Sequence, residues 1–86
     1  MKELMNKLIN MGWKKTEYEG AFFYDKYYKY DINASIEIDT EQGNKVSGDI
    51  YFTNNRDIIS RDCLNELNKA MQEMNETIKM IRKELK

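Results

Sequence analysis

The 86-residue sequence contains no histidine, no proline and a single cysteine, Cys63. Without imidazole there is no Ser-His-Asp or Cys-His catalysis and no zinc site built on histidine. One thiol likewise excludes a disulfide within the chain and any zinc–cysteine cluster. The four glycines are scattered singly, so no glycine-rich loop is present to cradle a phosphate. No run of about 18 apolar residues occurs, which excludes a membrane-spanning helix. An apolar run does not build at the start either: Lys2, Glu3, Asn6 and Lys7 interrupt it, unlike a signal peptide. With the lone thiol, these absences lead us to expect a cytoplasmic protein that does not engage a membrane. The net charge of −1, from 14 basic and 15 acidic residues, lacks the positive excess of a generic nucleic-acid binder.

What is present fits a single domain over residues 1–86, with 41% apolar residues to build one core. A helix is predicted over about Lys2–Met11, where Leu4, Met5, Leu8, Ile9 and Met11 form one stripe. Gly12 suits the left-handed position that ends a helix, and Trp13 the apolar contact beyond it. From Trp13 to Thr53 the chain is rich in the tyrosine, phenylalanine and isoleucine that strands favour. Ile32, Ala34, Ile36 and Ile38 alternate with Asn33, Ser35, Glu37 and Asp39. Val46, Gly48, Ile50 and Phe52 alternate in the same way with Ser47, Asp49, Tyr51 and Thr53, the period of a half-buried strand. A three-residue loop, Glu41-Gln42-Gly43, with Gly43 left-handed, would join the two. It sets Ile38 opposite Val46, Ile36 opposite Gly48, Ala34 opposite Ile50 and Ile32 opposite Phe52, and a one-residue slip would mix the faces. Glu19-Gly20 marks an earlier tight turn, and a further break falls between Asp25 and Asp31. Adjacent Phe22 and Phe23 leave the faces of that earlier hairpin open.

Ser60 is the predicted N-cap of a last helix that reaches Leu85, with Asp62 in the first turn favoured by the helix dipole. Leu64, Leu67, Met71, Met74, Ile78, Ile81 and Leu85 step along it by threes and fours, a heptad seam. Beside the seam, Cys63, Ala70 and Thr77 are small enough for close approach to a sheet. At about 1.5 Å per residue this helix outruns a six-residue strand. Its last turns therefore need support from helix 1 or a second copy, or go without. The expected fold class is α+β: a short N-terminal helix, an antiparallel sheet of three to four strands, and a long C-terminal helix packed on one face.

Chemistry has few candidates. Cys63, three residues after an N-cap, is the one nucleophile a helix dipole would activate, yet no base is available and it reads as a packing residue. Glu37, Asp39, Glu41 and Asp49 cluster on one hairpin, but paired-carboxylate catalysis needs a concave, partly dry site, and a small one-sided sheet offers a flat, wet face. No calcium-loop pattern is present. The expectation is a protein that is not an enzyme, with no catalytic residue, no metal and no cofactor.

Charge is distributed unevenly. Residues 1–16 carry +3, residues 17–49 carry −5 and residues 50–86 carry +1, so the sheet is the acidic part of a balanced molecule. An anionic surface of this kind suits a basic partner. The run Tyr24-Asp25-Lys26-Tyr27-Tyr28-Lys29-Tyr30 adds residues enriched in protein–protein hot spots. The candidate partner-binding residues are Glu37, Asp39, Glu41, Asp49, Tyr51, Tyr27 and Tyr28.

The order helix–strand–strand–strand–helix resembles that of double-stranded-RNA-binding domains, although Ser60-Arg61-Asp62-Cys63 balances one base with one acid where those domains place a basic cluster, so RNA binding is not carried over. Lys, Asn, Ile and Tyr make up 35 of the 86 residues, a usage that points to an AT-rich bacterium or its phage. In composition and architecture the chain resembles the small proteins of phages and prophages, anti-CRISPR and other anti-defence inhibitors among them. That resemblance implies a phage or mobile-element inhibitor that blocks a basic, nucleic-acid-binding surface of a host defence effector such as a CRISPR-Cas protein. Two other readings follow from the residues: a homo-oligomeric structural or regulatory module assembled through the C-terminal heptads, and single-stranded nucleic-acid binding through the tyrosine-rich strand. The expected partner is a basic host protein rather than nucleic acid, met by a monomer or a weak homodimer.

Overall fold

The computed structural model describes residues 2–55 and 58–85. Leu4 and Leu8, one turn apart, bury the inner stripe of helix α1 (Lys2–Asn10), while Ile9 and Met11 stay exposed. The helix stops as its sequence requires. The Gly12 N–H donates to the Ile9 carbonyl and the Trp13 N–H to the Leu8 carbonyl, each at 3.0 Å, with Gly12 at φ 95°. This is a Schellman ending, and it delivers Trp13 into the core beside Leu8.

Four strands follow: β1 (Lys14–Tyr18), β2 (Ala21–Tyr28), β3 (Ile32–Asp39) and β4 (Lys45–Phe52). They pair antiparallel in chain order, β1-β2-β3-β4. Glu19 and Gly20 both take positive φ, 39° and 82°, the geometry that lets a two-residue turn follow the twist of its strands. Between β3 and β4 a 3₁₀ turn (Thr40–Gln42) is capped by the Asp39 carboxylate, which accepts from the Glu41 N–H at 3.0 Å. Gly43 and Asn44 then turn the chain in the left-handed region. The register is the expected one from Ile32↔Phe52 through Asp39↔Lys45. Ile32, Ala34, Ile36 and Ile38 are fully buried on one face of the sheet.

Both helices lie on that face. Helix α2 (Arg61–Glu84) begins where the Ser60 hydroxyl accepts the Cys63 N–H at 3.1 Å. At roughly 1.5 Å per residue it runs about 36 Å, along a molecule 40 Å in its longest dimension. The sequence also suggests a short turn beginning near Asn55; it runs toward residues 56–57, which lie outside the described residues.

The helix is rotated from the expected seam. Cys63, Ala70, Met74, Thr77, Ile78 and Ile81 are buried, whereas Leu64 and Met71 are 48% and 45% exposed. A straight helix drifts by about 20° per heptad from a strict seven-residue repeat. Against a sheet, closest approach goes to the smallest side chains, here Cys63, Ala70 and Thr77. The Thr77 hydroxyl donates to the Glu73 carbonyl at 2.7 Å, so its burial leaves no unpaired group.

Helix and sheet also come close over Gly48. A Cβ there would stand 2.7 Å from Ile78 Cδ1 and 2.9 Å from Met74 Sδ. Gly48→Val is therefore expected to lower stability by about 1–3 kcal/mol through overpacking, seen as a lower urea midpoint at unchanged slope.

The last turns of α2 rest on α1. Leu85 packs against the core that holds Leu4 and Leu8, and Lys7 Nζ lies 2.8 Å from Glu84 Oε1. That hydrogen bond raises the Lys7 pKa and lowers that of Glu84. Arg82 also donates to the Val46 carbonyl at 3.1 Å, tying the helix to strand β4. No helix among the described residues is long and apolar enough to cross a membrane.

Candidate binding face on the open side of the sheet

With both helices on one side, strand alternation assigns every other residue to the opposite, open side. The pairings arrange it in rows that cross the strands. One row is Tyr27–Asn33–Tyr51, the next Lys14–Asp25–Ser35–Asp49. Then come Thr16–Phe23–Glu37–Ser47 and Tyr18–Ala21–Asp39–Lys45. Of the sequence-derived candidates, Glu37, Asp39, Asp49, Tyr51 and Tyr27 therefore share this face. Glu41 stands beyond its last row in the β3–β4 turn, close above the Glu19-Gly20 turn: a Cβ at Gly20 would come 2.7 Å from Glu41 Oε1.

Tyr28 is not brought to this face. It alternates to the helix side, where its hydroxyl donates to Glu73 Oε2 at 3.1 Å. The tyrosine run is split in the same way: Tyr24 is buried in the core, Tyr27 is on the open face, and Tyr30 sits in the β2–β3 turn at φ 62°. The rings thus form no continuous stacking row.

Two residues that matter here were not among the candidates. Asp25 adds a fourth carboxylate to the face, diagonal to Glu37 and in the row of Asp49. The signal that could have placed it is the β2–β3 register, Asp25↔Ser35, set by the turn between Tyr28 and Ile32. Asn33, expected to be displayed, is only 1% exposed although its row is open. Its Nδ2 donates to the Tyr51 hydroxyl and, at 3.4 Å, to Asp25 Oδ1. Among the described residues its Oδ1 has no hydrogen-bond partner. A buried acceptor left unpaired costs about 1–3 kcal/mol.

Electrostatically, the face carries Asp25, Glu37, Asp39 and Asp49 against Lys14 and Lys45, which lie on the two edge strands. Among the described residues none of these six takes part in an ion pair, since the ion pairs found are Lys7–Glu84, Lys15–Glu17 and Lys26–Glu73. Asp25 and Asp39 accept hydrogen bonds from Asn33 and from the Glu41 N–H, neither of which neutralises their charge.

The helix side offers less. A cleft of about 80 Å³ lies between the end of α1 and α2, lined by Met11, Trp13, Lys26, Glu73, Glu76 and Thr77. It is well below the roughly 300–1,000 Å³ of small-molecule sites. Its cation is already engaged: Lys26 Nζ donates to the Met11 carbonyl at 2.9 Å and lies 3.7 Å from Glu73 Oε1. Cys63 is fully buried and packs with Ile32 and Ala70. No group of three or more acidic or cysteine side chains among the described residues is arranged to hold a metal ion.

Burial raises the Tyr24 phenol pKa, and burial with the Glu73 carboxylate alongside raises that of Tyr28. Phenols raised in the folded state give stability that is full below their unfolded pKa of about 10 and is lost as pH climbs through the folded values. Absorbance at 295 nm is therefore expected to show Tyr24 and Tyr28 ionising above the ordinary phenol range, together with loss of the near-ultraviolet dichroism. Tyr28→Phe should remove one of these late-ionising groups.

No protein-family model matches the chain, and no match was found among curated proteins or solved structures. The functional reading therefore rests on the geometry of the open face.

Proposed function

We propose that the chain is a non-enzymatic binding protein that docks its open sheet face on a basic surface of a host protein, a surface that otherwise holds nucleic acid, and so blocks it. The observation that carries this reading is the set of four carboxylates spread over three adjacent strands with no ion pair among the described residues. A flat acidic face is complementary to a flat basic one, and such complementarity sets encounter rate and partner choice. It also substitutes for a phosphate backbone, whose negative charge dominates nucleic-acid affinity. The likeness to phage anti-defence proteins supports a defence effector, such as a CRISPR-Cas protein, as the owner of that surface, and a phage or mobile element as the source of the gene.

The test is capture from host lysate with the tagged chain and with the variant Glu37→Lys/Asp39→Asn/Asp49→Lys. The wild type should capture a basic protein that added nucleic acid competes away, and the variant should not. Equal capture by both would sink the reading. The exposed Leu64 and Met71 favour one further reading, a weak homodimer through α2.

A further inference from the structure

We propose that the partner meets this face with an arginine side chain seated between Tyr27 and Tyr51, its guanidinium donating to the Asp25 carboxylate and to Asn33 Oδ1. The proposal rests on the reading of the open face as the docking surface and names the group that docks. Tyr27, Asn33 and Tyr51 stand side by side on three adjacent strands. Neighbouring strands are about 4.8 Å apart, so the two tyrosines flank the asparagine with backbones roughly 10 Å apart. That separation admits a flat cation within roughly 6 Å of each ring centroid.

Both rings border solvent, Tyr27 68% and Tyr51 48% exposed. Tyr51 is held on Asn33 through its hydroxyl, so seating the guanidinium requires its ring to turn on χ1, which gives up that hydrogen bond and uncovers the buried Asn33. The floor between them supplies two acceptors of the right kind. Asp25 Oδ1 and the Asn33 amide are 3.4 Å apart, and Asn33 Oδ1 is the buried acceptor that no described residue satisfies. An N–H brought by a partner would pair it and remove the cost of leaving it unpaired.

Arginine fits this floor better than lysine does. Its guanidinium is planar, stacks on aromatic faces and presents several N–H donors in a fixed fork, so one group reaches a carboxylate and an amide carbonyl together. A lysine ammonium supplies the charge without the plane. The charge of the face has the matching sign, with Asp49 in the same row as Asp25.

The experiment titrates the whole chain with two capped peptides, hexa-arginine and hexa-lysine, by calorimetry at low salt, following the Asn33 side-chain amide by NMR. Hexa-arginine should bind about tenfold tighter than hexa-lysine and shift the Asn33 amide signals. Tyr27→Leu, at an exposed strand position, and Asn33→Leu, an apolar side chain of similar shape, should each remove most of that preference by weakening hexa-arginine far more than hexa-lysine. A preference that survives Tyr27→Leu would overturn the arginine seat, even if Asn33→Leu does not fold. If both peptides still weaken in Glu37→Lys/Asp39→Asn/Asp49→Lys, the acidic-face reading stands without the seat. If neither peptide binds the wild type, both fail.

Discussion

Ile78→Asp is expected to cost more than about 4 kcal/mol, whereas Met71→Asp, two turns earlier on the same helix, should change stability by no more than about 0.5 kcal/mol. In sequence the two residues belong to one heptad seam and look equivalent. In the structure Ile78 is 8% exposed and its Cδ1 packs over Gly48. A carboxylate there would lie among apolar side chains, since Ile36, Ile38 and Val46 belong to the same cluster. It must either be buried as a charge or drive the helix off the sheet, and the isoleucine burial is lost as well. A domain of this size has roughly 4–13 kcal/mol in all, at 0.05–0.15 kcal/mol per residue, so the variant should be unfolded or nearly so at 25 °C. Far-ultraviolet dichroism and a urea titration measure both variants. Loss of the fold in Met71→Asp would mean that α2 is rotated from the orientation described here. The exposed positions also decide the homodimer. Light scattering of the wild type at high concentration should give more than one chain's mass, and Leu64→Asp/Met71→Asp should reduce it to one. A single-chain mass in the wild type removes that reading.

Much of the fold was legible in the sequence because each cue was local. Gly12 with Trp13 encodes a helix ending whose two hydrogen bonds involve only Leu8 and Ile9. The β3–β4 register follows from alternation on both strands together with the short loop, since a one-residue slip would have put Glu37 or Asp49 among the isoleucines. The rotation of α2 was not local. Periodicity alone weighs Leu64 and Cys63 by hydrophobicity, whereas packing against a sheet weighs them by size, and the glycine that admits the helix, Gly48, is more than a dozen residues away. The same limit applied to the open face. Glu37, Asp39 and Asp49 were visible because their hairpin was, but Asp25 joins them only through the β2–β3 pairing, Asp25↔Ser35. Adjacent Phe22 and Phe23 masked which face was which: Phe22 packs on the core, and Phe23 lies on the open side. The burial of Asn33 depends on its neighbours across two strands, and no pattern within β3 encodes that.

Charge reversal on the open face should weaken partner binding by about 100-fold, close to 2.8 kcal/mol at 1.4 kcal/mol per tenfold. The design follows from the structure. Glu37 and Asp49 point away from the helices and make no ion pair among the described residues, so lysine at either position disturbs only the surface potential. Asp39 differs, because its carboxylate caps the 3₁₀ turn through the Glu41 N–H. Asparagine keeps that acceptor and removes the charge, whereas lysine would lose the cap and confuse a folding defect with a binding one. The variant Glu37→Lys/Asp39→Asn/Asp49→Lys therefore changes the face by five charge units at small cost in stability. Repulsion from a basic partner should act mostly on the association rate, and the wild-type affinity should fall steeply with salt while the variant's does not. Position matters as well as sign. Glu37 lies on a central strand and Asp49 on an edge strand, and energetically dominant contacts cluster near the centre of an interface. Glu37→Lys alone should thus account for more of the loss than Asp49→Lys alone. The reverse order, measured by surface plasmon resonance against the captured partner, would place the interface along the β4 edge instead of across the face.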